Sequence, residues 1–297
     1  MRVLVFGAGG QVGREVCRAA RPAWFELIPL DRNAADITKA AVVSAAIARQ
    51  SPDLVINLAA YTAVDRAESE PEAAWAVNCA GAAHIAAVCG ENATPLVHLS
   101  TDYVFDGRQS EPYCETDDVN PLNVYGRSKE AAERAVRAAA PRHMILRTAW
   151  VYGAYGANFV KTMLRLGAER PVLRVVADQC GCPTAAADIA GALIAIARHI
   201  ERGGTEWGTV HFAAAGSTSW HGFAEEIVGV ARTLGAWRSG QGPRVEPITT
   251  DQYPTAARRP INSVLDCRKI AGLDISPPPW RSSLSAVVRE IVGAEIR

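Results

Sequence analysis

The sequence lacks an excess charge of either sign: 31 Lys and Arg stand against 31 Asp and Glu. A nucleic-acid footprint needs a basic surface, so formal neutrality argues against one. A local patch for a phosphorylated small molecule is still compatible with it. Long apolar runs are missing too. Hydrophobic residues make up 49% of the chain, yet no run approaches the ~18 residues a membrane span needs. Met1-Arg2 leads straight into VLVFG at 3–7, which is too short for a signal-peptide core and has no cleavage region. It reads as a buried strand and places the chain in the cytoplasm. The cysteines lack pattern. There are seven, at Cys17, Cys79, Cys89, Cys114, Cys180, Cys182 and Cys267, with no Cys-x-x-Cys and no converging histidines. Cys180 and Cys182 are the close pair, and their spacing matches no common zinc site. Free thiols in a reducing compartment are the expectation. Internal repeats and disordered linkers are absent as well.

What is present is alternation. Apolar strands are expected at 2–6, 26–30, 53–58, 95–99 and 144–147, with helices at 11–20, 38–49, 71–89 and 125–139 between them. Strands of Val, Leu and Ile alternating with helices predict a parallel sheet covered on both faces, an α/β Rossmann-like doubly wound fold. After Arg147 the pattern loosens. Helices are expected at 158–166, 188–200, 220–234 and 284–292, and short strands at 172–176 and 209–212. The stretch 239–260 is rich in Gly, Pro and Arg. A length of 297 residues allows one large or two ordinary domains. We expect a dinucleotide-binding domain over 1–150 and a smaller α/β substrate domain over 151–297, parts of which return to the sheet.

Two groups of residues carry chemistry. Gly7, Gly10 and Gly13 follow a strand and open a helix, the context a dinucleotide fingerprint requires. The first permits a tight turn, the second lets backbone approach a pyrophosphate, and the third allows close helix–strand packing. Asp31 ends the second strand, where a carboxylate accepts from ribose hydroxyls and favours NAD. Arg32 either holds a 2′-phosphate or is a solvated side chain. Asp36 and Ile37, and the stretch 59–62 (Ala59, Ala60, Tyr61, Thr62), fall where adenine and ribose sit; Asp36 alternatively caps the next helix.

The second group is Tyr125 and Lys129, four residues apart and on one helical face. An ammonium beside a phenol favours phenolate and draws the tyrosine down from about 10. A tyrosine tuned this way can exchange a proton with a carbonyl or alcohol. Thr101 ends the fourth strand and either hydrogen-bonds a substrate oxygen or bonds backbone. Asp102 either orients substrate or caps a turn. Trp150 is a stacking platform for a sugar or a core residue. His98 reads as a satisfied core histidine, and the acidic run Asp65, Glu68, Glu70, Glu72 as a solvated loop and helix start. Arg258 and Arg259 offer guanidinium forks to a diphosphate or form an interdomain ion pair.

These residues sit in motifs that resemble the extended short-chain dehydrogenase/reductases over nearly the whole length. The motifs are VINLAAYTAVDRAESEPE at 55–72, STDYVFDG at 100–107, PLNVYGRSK at 121–129 and LRTAWVYG at 146–153. Later come NFVKTMLRL at 158–166, DQCGCPT at 178–184, SWHGFA at 219–224 and YPTAARRP at 253–260. The branch resembled reduces dTDP-4-dehydro-L-rhamnose to dTDP-L-rhamnose with NADPH or NADH. The resemblance implies Tyr125 as proton donor, Lys129 as its partner and ribose anchor, and Thr101 as the residue tuning the tyrosine. It implies Gly10, Gln11, Val12, Asp31, Asp36, Ile37, Ala60, Tyr61 and Thr62 as cofactor contacts, and Thr101, Asp102 and Trp150 as substrate contacts. Some members hold Mg2+ at a dimer interface through glutamates. Glu15 is kept here, but Ala187 stands where such a member supplies an acid. A monomer or a homodimer is expected. The rival readings are another nucleotide-sugar reductase or epimerase of this family, or a non-catalytic NADP-binding regulatory subunit. Dehydrating relatives carry Thr-Asp-Glu after the fourth strand, where this chain has Thr101-Asp102-Tyr103.

Overall fold

The computed structural model describes residues 1–19, 22–237 and 242–295. The end of the helix expected over 11–20 and the opening of the stretch at 239 lie outside them. The first half runs β1 (Arg2–Phe6), α1 (Gln11–Arg18), β2 (Glu26–Leu30), α2 (Ala40–Gln50), β3 (Leu54–Asn57), α3 (Val64–Ser69) and α4 (Pro71–Trp75). A π-helical segment, Ala76–Gly81, joins α4 to α5 (Ala82–Glu91). Then come β4 (Leu96–Thr101), α6 (Val124–Ala139) and β5 (His143–Thr148). The second half has β6 (Val151–Tyr152), α7 (Phe159–Glu169), β7 (Val172–Val176), β8 (Cys180–Gly181) and β9 (Thr184–Ala185). It continues with α8 (Ala186–Glu201), β10 (Gly208–His211), β11 (Thr218–Ser219), α9 (Trp220–Thr233), β12 (Arg244–Ile248), α10 (Arg268–Ala271) and α11 (Trp280–Glu295).

Six strands form one parallel sheet in the order β10-β5-β4-β3-β1-β2. Strand alternation decides which side chain meets which helix layer. Val3 and Val5 join Val12, Val16, Ile189 and Leu193 on the α1–α8 side. Leu4 and Phe6 join Val43, Ile47, Ile85 and Val136 on the α2–α5–α6 side. Both faces are therefore dry, and the strands read as continuous apolar runs. The helical run 71–91 is long and apolar enough to span a membrane by composition, but here it packs along α2 and α6.

Elements from beyond Trp150 share this sheet: β10 extends it beside β5, and α8 lies against α1. The remainder packs around a second core of Tyr152, Val160, Phe223, Trp280 and Leu284, under the parallel β7–β12 ribbon. From β1 the chain moves outward to β2 and returns to β3 on the other side. That reversal opens a crevice at the carboxyl ends of β1 and β3, where open parallel sheets bind ligands.

Candidate active site

The turn after β1 lies in that crevice. Gly7 has φ +82°, and a Cβ there would fall 2.5 Å from the Ala59 nitrogen, so only glycine fits. A Cβ on Gly13 would meet the Gly7 carbonyl at 2.4 Å, which is the close helix–strand packing expected. Gly10 precedes α1 and offers no side-chain cap, leaving the first-turn N–H groups open to an anion. A cleft of about 380 Å³ lies beside them, lined by Gly7, Gly10, Asp31, Arg32, Asp36, Ile37, Ala59, Ala60 and Tyr61. Asn33, Leu58 and Val77 also line it and were not foreseen. The cradle fits a dinucleotide: backbone donors at one end, an exposed carboxylate and guanidinium at the other.

Some expected contacts sit elsewhere. Val12 is in the core under the sheet, so only its backbone N–H can reach a ligand. Gln11 Oε1 accepts from Asn158 Nδ2 at 3.0 Å, tying α1 to α7. Thr62 is exposed and does not line the cleft. Asp31 Oδ1 accepts from the Asn33 and Ala34 amides, at 3.0 and 2.9 Å. Asp36 accepts from the amide and hydroxyl of Thr38; those bonds and nearby Arg32 and Lys39 lower its pKa.

Thr101 ends β4, and Tyr125 and Lys129 rise on the first turns of α6. Asn123 Oδ1 caps that helix by accepting from the Gly126 amide at 2.8 Å. Thr101 Oγ1 donates to Asp102 Oδ1 at 2.9 Å and accepts from the Tyr103 amide at 3.2 Å. The expected depression of Tyr125 is not what the structure gives. Burial pushes its hydroxyl up to about 12, against a side-chain hydrogen bond with Thr101 that lowers it and with the Asp102 charge adding to the rise. Lys129 does not act on the phenol here: its Nζ donates to the Leu99 carbonyl at 2.7 Å and sits 3.2 Å from His98 Nε2. Burial draws Lys129 down to about 8, with Glu133 opposing. Asp102 is pushed up to about 7 by burial, which outweighs its hydrogen bonds with Ser263 and Thr101.

Around this centre sit partners the sequence reading missed. Asn78, in the π-helical segment, accepts from the Tyr61 amide at 2.8 Å and donates to the Tyr61 carbonyl and Ser128 Oγ. Ser128 Oγ in turn donates to the Tyr125 carbonyl at 2.8 Å. A polar residue in an alanine-rich helix was the available signal. The acidic run does fall at helix starts, with Asp65 in the first turn of α3 and Glu72 in that of α4, but three of its carboxylates are engaged. Glu68 accepts from the Val124 amide at 2.7 Å, Glu70 from the Tyr61 hydroxyl at 2.6 Å, and Asp65 takes both Nη atoms of Arg259 at 3.1 and 2.7 Å. Arg259 is thus engaged in an ion pair, and the exposed Arg258 is joined to the site through its carbonyl, which accepts from Asn123 Nδ2. Trp150 holds φ +45°, a strained value for a bulky residue, and stacks flat on Trp220 at 3.5 Å. A Cβ on Gly181 would fall 2.3 Å from its indole.

The residues present do not fit a bound Mg2+. Glu15 and Glu290 are bridged by the Arg18 guanidinium, and Ala187 offers no ligand. Among the described residues no three His, Cys, Asp or Glu side chains converge on a metal position.

Comparison with known proteins follows this geometry. A family model described as the RmlD substrate binding domain matches residues 1–292. A dTDP-4-dehydrorhamnose reductase of Sinorhizobium fredii is 44% identical over 97% of both chains. A spore coat polysaccharide biosynthesis protein of Bacillus subtilis is 38% identical, also over 97% of both. The crystal structure of a dTDP-4-dehydrorhamnose reductase from Bacillus anthracis in complex with NADP superposes with a TM-score of 0.88. It is 36% identical, covering 97% of this chain and 99% of that one. A Thermus thermophilus UDP-glucose 4-epimerase at 21% identity and a TM-score of 0.77 shares the fold. The chain belongs to the RmlD substrate-binding-domain family of α/β proteins.

Proposed function

We propose that this protein reduces the 4-keto group of dTDP-4-dehydro-L-rhamnose to give dTDP-L-rhamnose, using NADPH or NADH. The observation carrying the reading is that Tyr125 and Lys129 on α6 both reach the end of β4, Tyr125 bonding Thr101 and Lys129 the Leu99 carbonyl, in a chain that also has a glycine-lined cleft. Relatives named as dTDP-4-dehydrorhamnose reductases at 38–44% identity support the substrate, and the NADP-bound relative supports the cofactor.

A reduced nicotinamide supplies the hydride when bound. The protein's own groups handle orientation and the proton. The Gly7–Gly10 turn and the start of α1 would hold the pyrophosphate. Asp31 Oδ2 and the exposed Arg32 would meet the adenosine ribose, Arg32 favouring a 2′-phosphate. Tyr125 would give its proton to the substrate oxygen as charge develops there, and the Thr101 hydroxyl, turning from Asp102 to the phenolate, would stabilise what is left. A tyrosine held near 12 by burial is protonated throughout the neutral range, so it arrives as an acid. Asp102, Trp150 and the exposed Arg258 would contact the sugar nucleotide, Arg259 being held by Asp65. The test is steady-state turnover of the keto sugar nucleotide with each reduced cofactor, followed by loss of nicotinamide absorbance. Turnover with either supports the reading, and none with both contradicts it.

A further inference from the structure

Lys129 is 2% exposed and approached from below by two strands. Asn57 and His98 are register partners across β3 and β4. Asn57 Oδ1 accepts from the Ala59 amide at 3.1 Å, which turns its Nδ2 towards His98 Nδ1, also at 3.1 Å. An amide nitrogen can only donate, so Nδ1 must accept. A neutral imidazole then carries its proton on Nε2. That hydrogen points across 3.2 Å at Lys129 Nζ. An ammonium there sets donor against donor. An amine resolves the conflict, accepting from Nε2 and donating to the Leu99 carbonyl.

We propose that Asn57, acting through His98, sets the charge state and position of Lys129, making both strand residues positioning residues for the catalytic lysine. The inference deepens the function proposed above and rests on it, with Lys129 as the ribose anchor that the family resemblance implies. Protonating Lys129 requires His98 to carry its proton on Nδ1 instead, and Asn57 to turn its amide and give up the Ala59 bond. The two strands therefore resist the ammonium until something better, such as ribose hydroxyls, accepts from it. Burial acts in the same sense on both partners: His98 is held well below its ordinary value, first by burial and then by Lys129, and Lys129 is drawn down. The other titratable group acting on the lysine is Glu133 on its own helix. Glu133 favours the ammonium but is already paired with Arg147 and Arg137.

The first test uses the cofactor-free wild type with 15N-labelled histidine, the His98 signal assigned by its loss in His98→Gln. Above the lysine transition, Nε2 is expected to be protonated and Nδ1 bare. Both nitrogens are expected to shift through a transition near pH 8 that Lys129→Met removes. The opposite tautomer, or a His98 signal indifferent to Lys129, overturns the proposal. The second test is Asn57→Asp, which keeps an acceptor for Ala59 and replaces the donor facing His98 with an acceptor. The alkaline limb of the kcat/KM profile for NADPH, which reports the free enzyme, should move up by about one unit, a tenfold gain in proton affinity. Adding His98→Leu should remove that shift. A shift that survives in the double variant means the new carboxylate acts through space, and the relay is wrong. The spectroscopic arm needs no turnover, so an inactive protein contradicts the proposed reaction while the tautomer still decides this one.

Discussion

At the residue scale, the account rests on Tyr125. Its spacing to Lys129 was legible because helix geometry is local. Its acidity was not, because burial is a tertiary property, and here it outweighs the hydrogen bond with Thr101. Lys129 finds its partners on β4, about thirty residues upstream, which no local spacing announces. Replacing Tyr125 with Phe should cut kcat by roughly 10²–10⁴, the usual range for a positioned acid, while NADPH still binds by fluorescence titration. Turnover within tenfold of wild type would remove Tyr125 as the acid. Asp31 is readable in the same way: its place at the end of β2 was clear, but the commitment of Oδ1 to the turn was not. Asp31→Ala should raise the NADPH/NADH ratio of kcat/KM, since it removes a charge that repels a 2′-phosphate beside Arg32. An unchanged ratio counts against that assignment.

At the scale of elements, α6 is fastened at both ends. Near its start, Asn123 and Glu68 bind backbone, and Asp65 clamps Arg259 from the 253–260 stretch. The sequence showed the acids and the arginines but not their pairing, since 194 residues separate Asp65 from Arg259. Of the two arginine readings, this geometry favours the ion pair for Arg259 and leaves Arg258 facing solvent. Arg259→Ala should cost about 1–2 kcal/mol of stability after allowance for partial exposure, lowering Tm with KM nearly constant. Arg258→Ala should raise KM roughly tenfold with Tm unchanged, if its fork meets the diphosphate. Two normal KM values end the substrate reading of this pair. Further along α6, Glu133 is fully buried and takes Arg147 Nη2 at 2.7 Å and Arg137. Burial alone would raise this carboxyl, but the arginines and Ser100 hold it below its ordinary 4.5. Its stabilisation is therefore complete above the ordinary carboxylate range and is lost as pH falls through the lower folded value. Glu133→Leu leaves Arg147 uncompensated and should cost about 3–5 kcal/mol in urea melts at pH 7. A loss under about 1 kcal/mol would show that the pair is not holding the helix to β5.

For the whole molecule, the alternation of strands and helices foretold the parallel sheet, because both-face burial makes the strands uniformly apolar. Strand order was harder. Nothing in the 208–211 segment distinguishes a strand that joins β5 from one that stays with the second core; only its pairing with 144–147 does. The second half was read loosely for the same reason. Its two-residue strands β6, β8, β9 and β11 are too short for any periodicity. Trp220, which covers one face of Trp150, lies seventy residues further along the chain. The crevice at the sheet's reversal, the cleft beside Gly10 and the Thr101–Tyr125 pair together amount to one claim: hydride reaches the ketone carbon while Tyr125 protonates its oxygen. The most direct measurement is isotope transfer. Wild-type protein is incubated with dTDP-4-dehydro-L-rhamnose and NADPH deuterated at the transferring position, and the product is read by NMR. The account predicts one deuterium at C4 of dTDP-L-rhamnose for each NADPH oxidised. Product without deuterium at C4, or a sugar rearranged with no net oxidation of NADPH, would contradict it.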